Sequence, residues 1–344
     1  MTSVAASETA LMTRLESFVM TSDAGFQPAW WARTGLLQTL LGQSNRATPP
    51  CYRTEILPTP DDDEVRVHFV DVADATAPVV LLLHGLEGSR ESSYVTETAA
   101  QCASQGYRFC VLEFRSCGGV MNRARRSYHS GETTDTAMVA TVLGQRFPNA
   151  PLFVIGFSLG ANVLLKWLAE SGDESFVSGA VAVSPPFDLS ACSHQCDTRY
   201  GGRIARRFLS TLIPKALEKG RQHPGQYDLD AVSRCRTFRD FDDLVTAPVH
   251  GFAGADEYYR SQSSGPLVPS IRTPTMIITS VDDPLCSAGS IPYEAIEQSP
   301  FLTSQICQRG GHVAFLEGGT PWRPRRWAEA KAIEFLGQLL ARPR

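Results

Sequence analysis

The run "LFVIGFSLGAN" holds a serine in the pattern Gly156-Phe157-Ser158-Leu159-Gly160. A serine hydroxyl is a poor nucleophile at neutral pH. It attacks a carbonyl only when a base takes its proton and a carboxylate orients that base. An apolar run, "PLFVIGF", enters the pentapeptide, and an amphipathic helical pattern, "SLGANVLLKWLAES", leaves it. This is the strand–turn–helix of a nucleophile elbow, a turn so tight that the flanking positions must be glycine. It places Ser158 at the head of a helix, where the N-terminus favours developing negative charge. Without that setting the pentapeptide would be an incidental tight turn.

Elbow enzymes carry their partners in the order serine, acid, histidine. After Ser158 the histidines are His194, His223, His250 and His312. The first three fall in a polar, Arg-rich stretch. His312 lies in "QRGGHVAFLEG", a glycine-rich loop after the last apolar strand, where the chain can reach the carboxyl edge of a sheet. His312 is therefore the candidate base. The acid must follow a strand between the two, and "TMIITSVDDPL" offers Asp282 and Asp283. Asp228, Asp230, Asp240, Asp242 and Asp243 lie in the Arg-rich stretch instead. An Asp pair before proline is also ordinary turn chemistry, and these residues alone leave the choice between the two acids open.

Acyl transfer further needs two donors for the tetrahedral oxyanion. The residue after the nucleophile, Leu159, supplies one backbone N–H. The loop "LLLHGLEGSRESSY" supplies the other, with the N–H of Leu86 the expected donor. His84 in that loop precedes Ser158 and reads as a structural residue.

Short runs rich in Val, Ile and Phe predict the strands that hold these loops: 64–71, 77–84, 107–114, 151–157, 178–184, 273–280 and 304–308. The first alternates apolar and polar residues, as an edge or antiparallel strand does, and several later ones are almost wholly apolar. Helical patterns at 132–147, 158–171 and 326–342 alternate with them. The expectation is one α/β domain over residues 1–344, a mostly parallel, doubly wound sheet. A helical cap is inserted at about 190–270, where the chain is polar, Arg-rich and without a clear strand.

The chain has 344 residues, 43% of them hydrophobic, with a formal charge of −4. This balance gives no reason to expect nucleic acid or an anionic surface as partner. The N-terminal twenty residues carry Glu8 and Glu16 in their apolar part and make a poor signal peptide. No apolar run approaches the ~20 residues that cross a bilayer. Nine irregularly spaced cysteines point to free thiols in a reducing cytoplasm. "CSHQC" (Cys192, His194, Cys196) lacks the second ligand pair a structural zinc wants, and reads as a solvated loop with incidental cysteines. No metal and no cofactor is expected; oligomeric state is not written in the sequence.

Many ordered motifs together resemble the YheT-type α/β-hydrolases: "FQPAWWARTGLLQTLLG", "HGLEGSRESSYV", "FRSCGG…SYHSGETTD", "GFSLGAN", "FRDFDDLVTAPVHGFAGADEYYRSQSS", "SVDDPL" and "GGHVAFLEGG". The resemblance implies an α/β-hydrolase fold with a helical cap, carboxylester hydrolysis without a cofactor, and small acyl esters or lipids as substrates. It also implies a triad of Ser158, Asp283 and His312. The family pattern sets the acid directly before the proline, and Asp283 before Pro284 is biased toward extended backbone. Asp282 is then a turn or capping residue. Two departures stand out: Ala161 for glycine after the elbow, and Ser116 for glycine in "FRSC". Arg115, Tyr128 and His129 are expected to brace loops, with "RARR" a solvated turn. An acyltransferase, lipase or thioesterase would use the same acyl-enzyme, and a binding protein on a hydrolase fold is the alternative of a different class.

Overall fold

Val79–Leu83 is five apolar residues long and wholly buried, as a strand covered on both faces must be. A computed structural model describes residues 25–43 and 47–341; the N-terminal segment weighed above as a signal lies outside them. The strands are β1 (Arg53–Pro58), β2 (Glu64–Val70), β3 (Val79–Leu83), β4 (Arg108–Glu113), β5 (Leu152–Phe157), β6 (Gly179–Val183), β7 (Thr275–Ser280) and β8 (Leu302–Cys307). They form one eight-stranded sheet in the order β1-β2-β4-β3-β5-β6-β7-β8. From β3 to β8 the pairing is parallel, while β2 runs antiparallel to both β1 and β4.

All seven expected strands are present, and the alternating one is antiparallel as read. It is not the edge, because β1 lies outside it. β1 escapes sequence reading because its residues are half-buried or exposed throughout and it ends in proline. A β9–β10 hairpin (Leu316–Thr320 and Arg323–Arg326) was also unforeseen, being short and polar.

Alternate residues of each strand feed opposite core layers. Val79, Leu81 and Leu83 pack with Val139, Leu143, Val163 and Leu164 on one face. Val80 and Leu82 pack with Val95, Ala99, Ala332 and Leu336 on the other. The helices concerned are Thr134–Arg146 and Leu159–Ser171 on the first face, and Ser93–Ser104 and Trp327–Leu340 on the second.

Between β6 and β7 the chain is helical, led by Leu189–Thr198 and Arg203–Gln222 and closed by Ala255–Gln262. It has apolar clusters of its own, one around Leu209, Val232 and Phe241. A second joins Cys196 and Ala205 of these helices to Leu285 and Cys286 after β7. This corrects the reading of "CSHQC": Cys192 and Cys196 lie one turn apart on the Leu189–Thr198 helix, and Cys196 is buried. Among the described residues no helix is long and apolar enough to cross a membrane.

Candidate active site

β5 ends at Phe157 and the next helix starts at Leu159, so Ser158 alone makes the turn. Its φ of 53° and ψ of −119° put a residue with a Cβ in a strained region. The neighbouring glycines are needed for close approach. A Cβ on Gly156 would lie 2.5 Å from the Gly160 carbonyl oxygen, and one on Gly160 would lie 2.3 Å from that of Leu83. Both obstacles are backbone and cannot give way cheaply. Ala161 occupies the place where the resemblance expects glycine, directly beneath Gly156. It is fully buried and its methyl joins the core face under the elbow.

The loop after β8 brings His312 to the same point. Its Nε2 is 2.6 Å from Ser158 Oγ, and its Nδ1 is 2.9 Å from Asp283 Oδ2. Asp283 is in turn held by backbone donors: Leu285 and Cys286 N–H reach Oδ1 at 2.7 and 3.0 Å. All of this is nearly dry, with Asp283 1% and His312 5% exposed. Burial alone would disfavour an imidazolium, but the Asp283 charge and hydrogen bond outweigh it and raise the His312 pKa.

Asp282 points the other way. Its Oδ2 accepts from the Gly35 N–H at 2.7 Å and its Oδ1 from the Gly310 N–H at 2.8 Å. It thus ties the Gly35–Gly42 helix to the His312 loop. Thr39 of that helix completes the brace, accepting the His312 N–H at 2.9 Å. From the cap side, Gln195 Nε2 and Arg199 Nη1 donate to the Asp283 carbonyl oxygen at 3.1 and 2.9 Å. Thr39, Gln195 and Arg199 carried no sequence signal, since each acts through contacts far away in the chain.

The loop after β3 lies against Ser158: a Cβ on Gly85 would be 3.2 Å from that of Ser158. Among the described residues neither the Leu86 nor the Leu159 backbone N–H has a hydrogen-bond partner. His84 is fully buried in that loop, with Nδ1 at 2.8 Å from the Gly85 carbonyl oxygen and Nε2 accepting from the Phe114 N–H at 3.1 Å. Leu86, Leu159, Ser158 and His312 all line one cleft. Apolar cap residues such as Leu189, Phe208, Leu212 and Phe241 form its far wall. At its side Lys215 of the cap reaches Glu87 Oε1 at 2.9 Å, and Tyr128 O–H donates to the same oxygen at 2.9 Å.

The loop after β4 is built around Arg115. Its guanidinium, with no exposed side-chain surface, holds Asp61 at 2.7 Å, Asp63 at 3.1 Å and Asp135 at 2.7 Å. Ser116 has φ 64°, which explains why glycine is favoured there. Its hydroxyl bonds Asn122 at 2.6 Å. Arg126 corrects the solvated-turn reading of "RARR", since it pairs with Asp61 and Glu132, each at 2.6 Å. Arg115→Ala removes the cation shared by three carboxylates and takes from buried Asp135 its bidentate partner, and is expected to cost ~3–5 kcal/mol in urea unfolding, far more than a surface arginine.

Sheet order, elbow and cleft together define an α/β-hydrolase. Residues 74–317 match the hydrolase family described as serine aminopeptidase, S33, and the chain belongs to it. It is 35% identical over 95% of its length to YheT of Escherichia coli (strain K12), named as an esterase, and covers 97% of that protein; the YheT-type resemblance is thereby met. Phospholipase ABHD3 of Homo sapiens is 29% identical over 86% of this chain and 75% of its own. In solved structures the fold recurs in the Pyrococcus furiosus esterase Pf2001, with a TM-score of 0.56 at 18% identity over 85% of this chain and 91% of that one. The chain is a hydrolase of the esterase and lipase type.

Proposed function

We propose that the chain is a serine carboxylesterase acting on acyl esters through an acyl-enzyme, with Ser158 as nucleophile, His312 as base and Asp283 as orienting acid. The observation that carries this reading is the unbroken hydrogen-bonded line from Ser158 Oγ through His312 to Asp283 at the mouth of an apolar cleft. Ser158 attacks the ester carbonyl while His312 Nε2 takes its proton. The N–H groups of Leu86 and Leu159 hold the oxyanion, and the Leu159–Ser171 helix dipole favours the same charge. His312 then protonates the leaving alcohol, and water repeats the sequence to free the acid. Asp283 keeps the Nδ1–H tautomer throughout.

The helices between β6 and β7 act as a cap over the cleft, within one domain. Their apolar wall suits an acyl chain, which makes small acyl esters or lipids the substrate class. Nine free cysteines fit a cytoplasmic setting.

A fluorophosphonate probe tests the reading. One label per chain, lost in Ser158→Ala, is the expected result; a chain that stays unlabelled, or labels equally in the variant, is no serine hydrolase. Hydrolysis of p-nitrophenyl esters graded by acyl length, with ethanol present, reads the substrate. Free acid should exceed ethyl ester; the reverse would make the protein an acyltransferase.

The pH profile is a second check. The base must be neutral, so kcat/KM is lost as pH falls through the His312 pKa, which lies above 6.5. Stability runs the other way. A histidine whose pKa is raised on folding adds stability that is complete below 6.5 and is lost as pH rises through the folded value. Thermal midpoints compared between wild type and His312→Gln should therefore converge with rising pH over the range in which activity appears. An acid limb of activity lying below 6.5 would contradict the assignment.

A further inference from the structure

Leu86, the expected oxyanion donor, sits in a turn that the Gly88 N–H closes onto the Gly85 carbonyl oxygen at 3.0 Å. Glu87 holds the third position of that turn with a φ of 57°. A turn of this hand favours glycine there, because a side chain strains the backbone. A glutamate persists in such a place only when its surroundings hold it, and three hydrogen bonds do. Tyr128 Oη accepts the Glu87 N–H at 3.0 Å, and the Tyr128 O–H donates to Glu87 Oε1 at 2.9 Å. Lys215 Nζ reaches the same carboxylate oxygen at 2.9 Å.

The two partners come from different parts of the fold. Tyr128 belongs to the sheet side, its ring stacked on that of Phe114 at the end of β4 with planes 3° apart. Lys215 belongs to the cap helix Arg203–Gln222. The Glu87 side chain is only 9% exposed and that of Lys215 32%, so this ion pair is better shielded from solvent than a surface one.

We propose that Glu87 is a positioning residue that fixes the Leu86 N–H for the oxyanion, and that Lys215 couples this fixation to the seating of the cap. Without its partners Glu87 relaxes to negative φ. That change turns over the peptide joining it to Leu86 and breaks the N–H bond to Tyr128. Gly85 abuts Ser158, so movement in this turn is felt at the nucleophile. An oxyanion donor acts only within hydrogen-bond reach of an oxygen whose place the nucleophile sets. The inference rests on the serine-hydrolase reading given above.

The test sets hydrolysis of a short p-nitrophenyl ester beside inhibition by a trifluoromethyl ketone. Ser158 Oγ adds to the ketone carbon, its proton passes to His312 Nε2, and the carbonyl oxygen becomes the oxyanion. The inhibition constant therefore reads the oxyanion donors. Glu87→Ala and Tyr128→Phe are each expected to lower kcat by ~10–100-fold with KM within about three-fold. The loss stays below the ~10²–10³-fold of removing a donor outright. Ketone affinity should fall by the same factor as kcat/KM. Lys215→Met should lose about ten-fold in both, and Glu87→Gln, which keeps an oxygen for both donors, no more than about three-fold. Adding Lys215→Met to Glu87→Ala should cost at most a further ~2-fold, because the link is already gone. Arg221→Met, which breaks an exposed pair with Glu218 on the same helix, should change neither reading. Unchanged ketone affinity in Glu87→Ala overturns the proposal, as does a rise in KM alone. If Glu87→Ala does not fold, unchanged affinity in the part-exposed Lys215→Met overturns it equally. Losses from Glu87→Ala and Lys215→Met that multiply remove the coupling to the cap. A wild type that neither cleaves the ester nor binds the ketone removes the serine-hydrolase reading, and this inference with it.

Discussion

Ser158→Ala is expected to lower kcat/KM for a p-nitrophenyl ester by ~10⁴-fold or more, leaving KM within a few-fold and the fold intact. The hydroxyl is the only group on that side chain able to form the acyl bond, and it contributes little to ground-state binding. Residual turnover would come from the Leu86 and Leu159 amides and from the cleft, which the substitution does not touch. Alanine keeps the strain, because φ 53° at this position is as unfavourable for alanine as for serine. Ser158→Gly removes it. The glycine variant should be as inactive as the alanine one and more stable by ~1 kcal/mol or more in urea unfolding. An enzyme that gave up function without any such gain would not store strain at its nucleophile. A Ser158→Ala variant that kept a tenth of wild-type turnover would place the nucleophile elsewhere.

The sheet was legible because it rests on two local patterns. Apolar runs such as Val79–Leu83 and Leu152–Phe157 announce strands buried on both faces, and the alternation with helical periods implies parallel order. β1 was missed for the converse reason: its exposed outer residues carry no apolar pattern, and only pairing with β2 makes it a strand. That Ser158 and His312 would meet was readable from chain order and loop setting, but the residues that hold them were not. Thr39 reaches His312 across 273 residues, and Arg199 reaches Asp283 across 84, through backbone atoms that leave no trace in sequence. Cys192 misled for the same reason. It was read as part of a loop, whereas it sits on a helix with its sulfur against that of Cys286, 94 residues away.

The two adjacent aspartates should separate most sharply by their asparagine variants. Asp283→Asn keeps the shape and lowers kcat by ~10³–10⁴-fold. With Leu285 and Cys286 N–H groups already on Oδ1, the new amide must turn its NH₂ toward His312 Nδ1. Nδ1 then accepts, the ring proton sits on Nε2, and the base is in the wrong tautomer before substrate arrives. Asp282→Asn acts on stability instead. Its carboxylate bridges Gly35 and Gly310 N–H groups. An asparagine can offer an oxygen to only one of them, so one buried donor is stranded at a cost of ~1–3 kcal/mol. Turnover per folded molecule at low temperature should stay within a few-fold of wild type, because the His312–Asp283 contact is untouched. Heating should then inactivate Asp282→Asn early, as the Gly35–Gly42 helix and Thr39 lose their hold on the His312 loop. The pair is thus distinguished by kcat at 10 °C against the unfolding midpoint in urea. If Asp282→Asn lost turnover at full stability and Asp283→Asn kept it, the acid would be Asp282.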